Sequence, residues 1–133
     1  MPKINIHHIK DKQLLITGRS HAVIGDQPVE KGGTDVGFTP TELLLSALGS
    51  CMAFNLLAYA QLKKFKIQEL QVELEDEVAK SPERVSKIAA RIRLAGDLTE
   101  EERIRLLRSA KSCKIHNTLS GNPAIEVALI KGD

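Results

Sequence analysis

The spacing of apolar residues along this chain changes several times, and each change marks an element. In residues 4–10 and 13–24 apolar and polar positions interleave at the short period of strands, and Asp11-Lys12 between them predicts the turn of an antiparallel hairpin. Residues 25–37 lack any such pattern and are rich in Gly, Asp and Pro, which predicts a long loop of the kind that is functional or mobile in compact domains. Thr39-Pro40-Thr41-Glu42 then reads as a helix start, with an N-cap, a proline at the first helical position and a glutamate three residues after the cap. This helix should run to about residue 64.

Further along, Val72, Leu74, Asp76 and Val78 share one parity of residues 67–78, while Glu73, Glu75 and Glu77 take the other. That alternation predicts a half-exposed strand. After a turn at 81–84, residues 85–94 return with Val85, then Ile88, Ala90, Ile92 and Leu94, against Lys87, Arg91 and Arg93. Acidic residues of one strand should therefore face basic residues of the next on a solvated sheet face. Asp97 or Thr99 caps a second helix that opens with Glu100-Glu101-Glu102 and carries Arg103, Arg105, Arg108 and Lys111 later, a charge order that follows the helix dipole. A short third helix starts at Cys113 and stops at Gly121, and residues 124–130 should close the chain as a strand. The expected architecture is a single α+β domain over residues 1–133 in the order β-β-α-β-β-α-α-β.

Composition excludes more than it assigns. A chain of 133 residues, 42% hydrophobic and 27% charged with a net charge of +2, can bury a core without staples and selects no acidic partner. With three Phe, one Tyr and no Trp, and with basic residues interleaved among acidic ones, it offers no aromatic and basic surface for nucleic acid. The N-terminal residues lack the apolar stretch and cleavage site of a signal peptide, so a cytoplasmic protein is expected. Residues 43–62 carry no formal charge, a length that could span a bilayer. Ser46, Gly49, Ser50, Asn55 and Gln61 dilute the run, and a helix apolar nearly all round also forms the buried centre of a soluble protein or oligomer. The second is expected, with no membrane partner. A homodimer is expected too, because one small sheet cannot cover such a helix. No P-loop, GxGxxG, HExxH or internal repeat occurs, and neither a cofactor nor a metal is expected.

The candidate chemistry lies in the two cysteines. Cys51 sits inside the apolar helix and Cys113 opens the third helix, too far apart in sequence for a local CxxC or a zinc ribbon. A cysteine in a Leu- and Ala-rich helix is often just a small hydrophobe. If the fold brings the two sulfurs together, one thiol can attack a substrate and the other can resolve the product as a disulfide. Ser112 as a cap would place Cys113 in a first helical turn beside Lys111 and Lys114, which should favour its thiolate.

Two stretches resemble the OsmC/Ohr family of thiol-dependent peroxidases. Gly32-Gly33-Thr34-Asp35-Val36-Gly37-Phe38-Thr39-Pro40-Thr41-Glu42-Leu43-Leu44-Leu45-Ser46-Ala47-Leu48-Gly49-Ser50-Cys51 looks like the family pattern GGxDxGxTPxELLLxALGxC, and Cys113-Lys114-Ile115-His116-Asn117-Thr118-Leu119 looks like C-x-x-H-x-T-L. The resemblance implies an intertwined homodimer with long central helices buried between two sheets. It also implies that Cys51 attacks an organic hydroperoxide and becomes a sulfenic acid, that Cys113 resolves it as a Cys51–Cys113 disulfide, and that a dithiol or lipoyl-type group reduces the disulfide. Glu42 matches the carboxylate that orients an arginine over the thiolate, and Arg19, in the hairpin's second strand, is the expected arginine, with Lys31 as a loop substitute. Glu42 also fits a plain capping box with Thr39. Nine residues of straight helix would put Glu42 about 13.5 Å from Cys51 on the opposite face, so a functional contact needs a bend or a partner subunit. His116 could assist Cys113 as a base or make a structural hydrogen bond. Lys114, where the peroxidases commonly carry Pro, supports a different outcome: an OsmC-like protein that binds a small thiol or apolar ligand with little peroxidase turnover.

Overall fold

A computed structural model of the chain describes residues 2–132. Two compact units, Met1–Ser46 and Ala47–Asp133, divide it. The first is a three-stranded antiparallel meander, β1 (Asn5–Lys10), β2 (Gln13–Gly18) and β3 (His21–Gly25). Residues 13–24 are thus not one strand of a hairpin but two strands turned at Arg19-Ser20. The register runs Gly18↔His21 and Thr17↔Ala22 across that turn, and Arg19 adopts φ 55°. A two-residue hairpin turn needs positive φ, which Gly, Asn and Asp usually supply. Arg-Ser carries none of that signature, which is why the sequence concealed it.

The glycine-rich stretch after β3 is not a slack loop. It makes one 3₁₀ turn, Val29–Lys31, and returns to the sheet where Asp26 N–H donates to the Phe38 carbonyl at 3.0 Å and Phe38 N–H to the Ile24 carbonyl at 3.1 Å. The Asp26 carboxylate sits buried at its centre. It accepts from the N–H of Gln27 (2.7 Å), from the hydroxyl (2.6 Å) and N–H of Thr34, and from the N–H of Val36 (3.2 Å). Two backbone segments pass so closely that a Cβ on Gly33 would lie 1.9 Å from the Gln27 oxygen, and one on Gly37 2.2 Å from the Ile24 oxygen. Glycine is required at both positions on steric grounds.

Helix α1 (Pro40–Lys63) begins as its sequence predicts: Thr39 N–H donates to the Glu42 carboxylate at 2.8 Å and Glu42 N–H donates to the Thr39 hydroxyl at 3.2 Å. It is long and apolar enough to cross a membrane, yet it is a core helix, its Leu48, Met52, Leu56 and Ala60 forming a buried cluster with Leu106, Ala110 and Cys113. Against this cluster pack Leu70, Leu74, Ile88, Ile92 and Leu94 of the antiparallel pair β4 (Glu69–Ala79) and β5 (Arg84–Ala95). The register places Glu73 opposite Arg91 and Glu77 opposite Lys87 on the exposed face, as the charge alternation requires, and a shift at Glu77/Val78 explains why the apolar parity changes between Val85 and Ile88. Arg91 bridges Glu73 at 2.6 Å and also pairs with Glu75, but these exposed ion pairs contribute little to stability.

Helix α2 (Glu100–Lys111) is capped by Thr99, not Asp97, in a full capping box with Glu102. Helix α3 (Lys114–Ser120) follows after a break of two residues. The expected last strand does not form: no ladder partner meets residues 124–130 among the described residues, and Ile125, Val127 and Leu129 are 83%, 91% and 99% exposed. Alternation specifies a strand only when another strand supplies its hydrogen bonds. The observed order is β-β-β-α-β-β-α-α.

Candidate functional site

Cys51 and Cys113 meet in the second unit, the condition for the two thiols to act together. Cys51 projects from the middle of α1 and is half-buried; Cys113 is fully buried at the joint between α2 and α3. This joint is tight because each residue serves a helix end. Ser112 is the C-cap of α2, and Cys113 is the N-cap of α3 with extended backbone at φ −97° and ψ 146°. Its Sγ accepts the His116 N–H at 3.1 Å, doing for α3 what a serine or aspartate oxygen does at an ordinary N-cap.

The surroundings drive the two thiols apart electronically. The Ile115 N–H donates to Cys51 Sγ and holds its pKa below the ordinary thiol value; the Cys113 thiol and the amide and charge of Lys114 act in the same direction, against partial burial. Burial raises the Cys113 pKa, as do its hydrogen bond to Cys51 and the negative charge there, with the His116 amide opposing. This corrects the expectation that Cys113 would be the thiolate. The helix that was to activate it begins one residue later, so its first amides point at Cys51. Of the two thiols, Cys51 is therefore the one whose surroundings favour deprotonation. A half-buried thiolate beside a protonated, buried thiol is a nucleophile with a second sulfur already in reach.

Of the remaining predicted residues, Arg19 and Glu42 belong to the first unit. Glu42 is occupied by its capping box at the start of α1. Arg19 lies in the β2–β3 turn of the first unit, where its side chain lines a shallow cleft with Ile4, Ile16 and His21. Among the described residues neither makes an ion pair. His116 acts on Cys113 through its backbone amide; its ring nitrogen Nδ1 lies 3.4 Å from the Ser120 hydroxyl.

Lys114 and Ile115, which face Cys51, were not singled out for it from the sequence. A register one residue later for α3 would have exposed them. Asn55, which donates from Nδ2 to the Ser112 carbonyl at 2.7 Å, was also missed, although an amide one turn beyond Cys51 in an otherwise apolar helix was a visible signal. Asn55 and Ser112 line a groove of about 470 Å³ together with Tyr59 and Leu62 of α1 and Arg105 and Arg108 of α2. Among the described residues no cluster of three or more His, Cys, Asp or Glu side chains could hold a metal ion.

A family model described as OsmC-like protein matches residues 32–128 of the chain, a span that contains both cysteines. No curated protein matches it in sequence. Solved structures share the fold. An OsmC-like protein from Mycoplasma pneumoniae is 22% identical with a TM-score of 0.81, the match covering 92% of this chain and 89% of that one. An organic hydroperoxide resistance protein OsmC from Legionella pneumophila is 21% identical at TM-score 0.69, with 92% and 90% covered. An OsmC-like protein of unknown function from Vibrio cholerae is 12% identical at TM-score 0.77, with 89% and 92% covered.

Proposed function

The chain belongs to the OsmC-like protein family, and from that premise we propose that it is a thiol-dependent peroxidase that reduces organic hydroperoxides. One observation carries the reading: the fold packs Cys51 of α1 against the cluster that holds the buried Cys113, 62 residues later in the chain. The Cys51 thiolate attacks the terminal oxygen of R–O–O–H, the O–O bond breaks, and the departing alkoxide takes a proton to leave as alcohol. Cys51 is then a sulfenic acid. Cys113 attacks its sulfur, the hydroxyl leaves as water, and a Cys51–Cys113 disulfide remains, which an external dithiol such as a lipoyl-type group reduces back to two thiols. The name of the Legionella relative, a hydroperoxide resistance protein, is consistent with this chemistry.

In the proposal Arg19, oriented by Glu42 and supplied by a partner subunit, would stabilise the Cys51 thiolate, alongside Lys114, whose charge already acts on Cys51. The working form in the proposal is a cytoplasmic homodimer. Support comes from the apolar side chains one chain leaves uncovered: Ile4, Ile6 and Ile9 on and beside β1, Phe54 and Leu62 on α1, and the extended Ile125, Val127, Leu129 and Ile130. Open strand edges and apolar stripes of this extent usually meet a second copy. The engagement of Glu42 in helix capping favours one other reading, a protein that binds a small thiol or apolar ligand and turns over little peroxide. Addition of stoichiometric alkyl hydroperoxide, followed by intact and peptide mass spectrometry, separates them. The peroxidase gives one alcohol and one Cys51–Cys113 disulfide per hydroperoxide; unchanged thiols with intact hydroperoxide would overturn the proposal.

A further inference from the structure

The peptide unit between Ser112 and Cys113 is held from α1. Its carbonyl accepts the Asn55 Nδ2–H at 2.7 Å, and its nitrogen belongs to Cys113. Asn55 stands four residues after Cys51 on the same helix, one turn along, so a single rigid element carries both the thiol that is oxidised and the amide that grips the backbone of the thiol that resolves it. The other polar influences of this joint on α1 act on the Cys51 sulfur itself, whose pKa Ile115, Cys113 and Lys114 lower. Those influences act on the atom that oxidation changes. The Asn55 bond involves no sulfur, so its donor and acceptor are unchanged by oxidation of Cys51.

We propose that Asn55 is a positioning residue for disulfide closure: by holding the Ser112 carbonyl it keeps Cys113 within reach of Cys51 while Cys51 is a sulfenic acid. This rests on the peroxidase reading for its oxidant, an organic hydroperoxide. The step it serves is attack of Cys113 Sγ on Cys51–S–OH, forming the S–S bond and breaking the S–O bond, with the hydroxide and the Cys113 proton leaving as water. His116 N–H fixes the Cys113 side chain at 3.1 Å and Asn55 fixes its backbone, so the two together define where the sulfur stands. Disulfide geometry is narrow, and loss of alignment by about 1 Å is enough to slow a positioned reaction by an order of magnitude or more.

The test compares the full chain with Asn55→Leu, which keeps the branched shape and removes the donor, and Asn55→Gln, which keeps a donor. Hydroperoxide is titrated from stoichiometric to excess, the reaction is quenched by alkylation, and mass spectrometry reads disulfide against Cys51 sulfinic acid. The expected result is closure about tenfold slower in Asn55→Leu, with sulfinic acid rising in proportion and partial recovery in Asn55→Gln. The rate of hydroperoxide consumption in a single turnover should not change. A merely structural role would lower the melting temperature and leave the partition between disulfide and sulfinic acid as it is, so a folded Asn55→Leu that closes as fast as the unmodified chain overturns the proposal. Asn55→Ser, with an arm too short to reach, replaces the leucine variant if that does not fold. If hydroperoxide yields no disulfide even in the unmodified chain, the peroxidase reading fails by itself. Diamide, which oxidises dithiols without a peroxide, then gives the same comparison of closure rates: slower closure in Asn55→Leu supports the positioning role, and equal rates overturn it.

Discussion

Replacing Leu106 by alanine should test both the core and its connection to the thiols. Leu106 is 0% exposed and lies in one cluster with Leu48, Met52, Leu56, Ala60, Ala110 and Cys113. The change removes roughly three methylene equivalents, each contributing about 0.8 kcal/mol when buried. Close packing by two helices leaves little room for collapse, so a cavity cost adds to the transfer cost and the total should fall at about 3–5 kcal/mol. Such a loss is a large part of the stability of a small domain and corresponds to a fall in Tm of roughly 10–20 °C. Urea unfolding followed by circular dichroism, at one fixed protein concentration and with both thiols reduced, measures it. Because α2 ends on Ser112, next to Cys113, the same variant should also close the disulfide more slowly at temperatures where it remains folded. A stability loss under about 1 kcal/mol would refute the reasoning, since it would mean that Leu106 is not held in a packed core.

The thiol roles predict asymmetric phenotypes: Cys51→Ser should abolish hydroperoxide consumption, while Cys113→Ser should consume one equivalent and then accumulate sulfinic and sulfonic acid at Cys51, as mass spectrometry would read directly. Residual turnover in Cys51→Ser would remove the assignment. Alkylation by iodoacetamide should reach Cys51 first, and its rate should stay high to lower pH than for an ordinary thiol, because the Ile115 amide stabilises the thiolate. Asp26 has its pKa lowered from 3.8 to about 2, mainly by the Thr34 hydroxyl. A depressed carboxylate pKa stabilises the folded state above the unfolded value, and that contribution is lost as pH falls from 3.8 towards 2, so acid unfolding of Asp26→Asn should show a weaker pH dependence in this window. Gly37→Ala should displace the loop from β3, because its Cβ would meet the Ile24 backbone oxygen at 2.2 Å; limited proteolysis between residues 27 and 37 should accelerate, and an unchanged cleavage rate would count against the steric account.

Much of this protein was written locally. Thr39, Pro40 and Glu42 determine where α1 starts, Thr99 and Glu102 where α2 starts, and the alternation of glutamates with Val72 and Leu74 determines both β4 and its pairing with the basic face of β5. These features are legible because each depends on residues within a few positions or on one hydrogen-bonded neighbour. The two cysteine-bearing motifs were legible for the same reason. The family resemblance pointed to Cys51 as the attacking thiol, and the tertiary structure adds a physical cause for its lowered pKa. That cause depends on α3 starting at Lys114 with Cys113 as its cap, which turns the amides of Lys114 and Ile115 towards a sulfur 63 and 64 residues earlier in the chain. The burial of Asp26, the grip of Asn55 on Ser112 and the splitting of residues 13–24 at Arg19 likewise hang on distant backbone. The last strand shows the limit from the other side. Residues 124–130 have the right alternation, but a strand exists only as one half of a ladder, and a single chain supplies them no partner among its described residues.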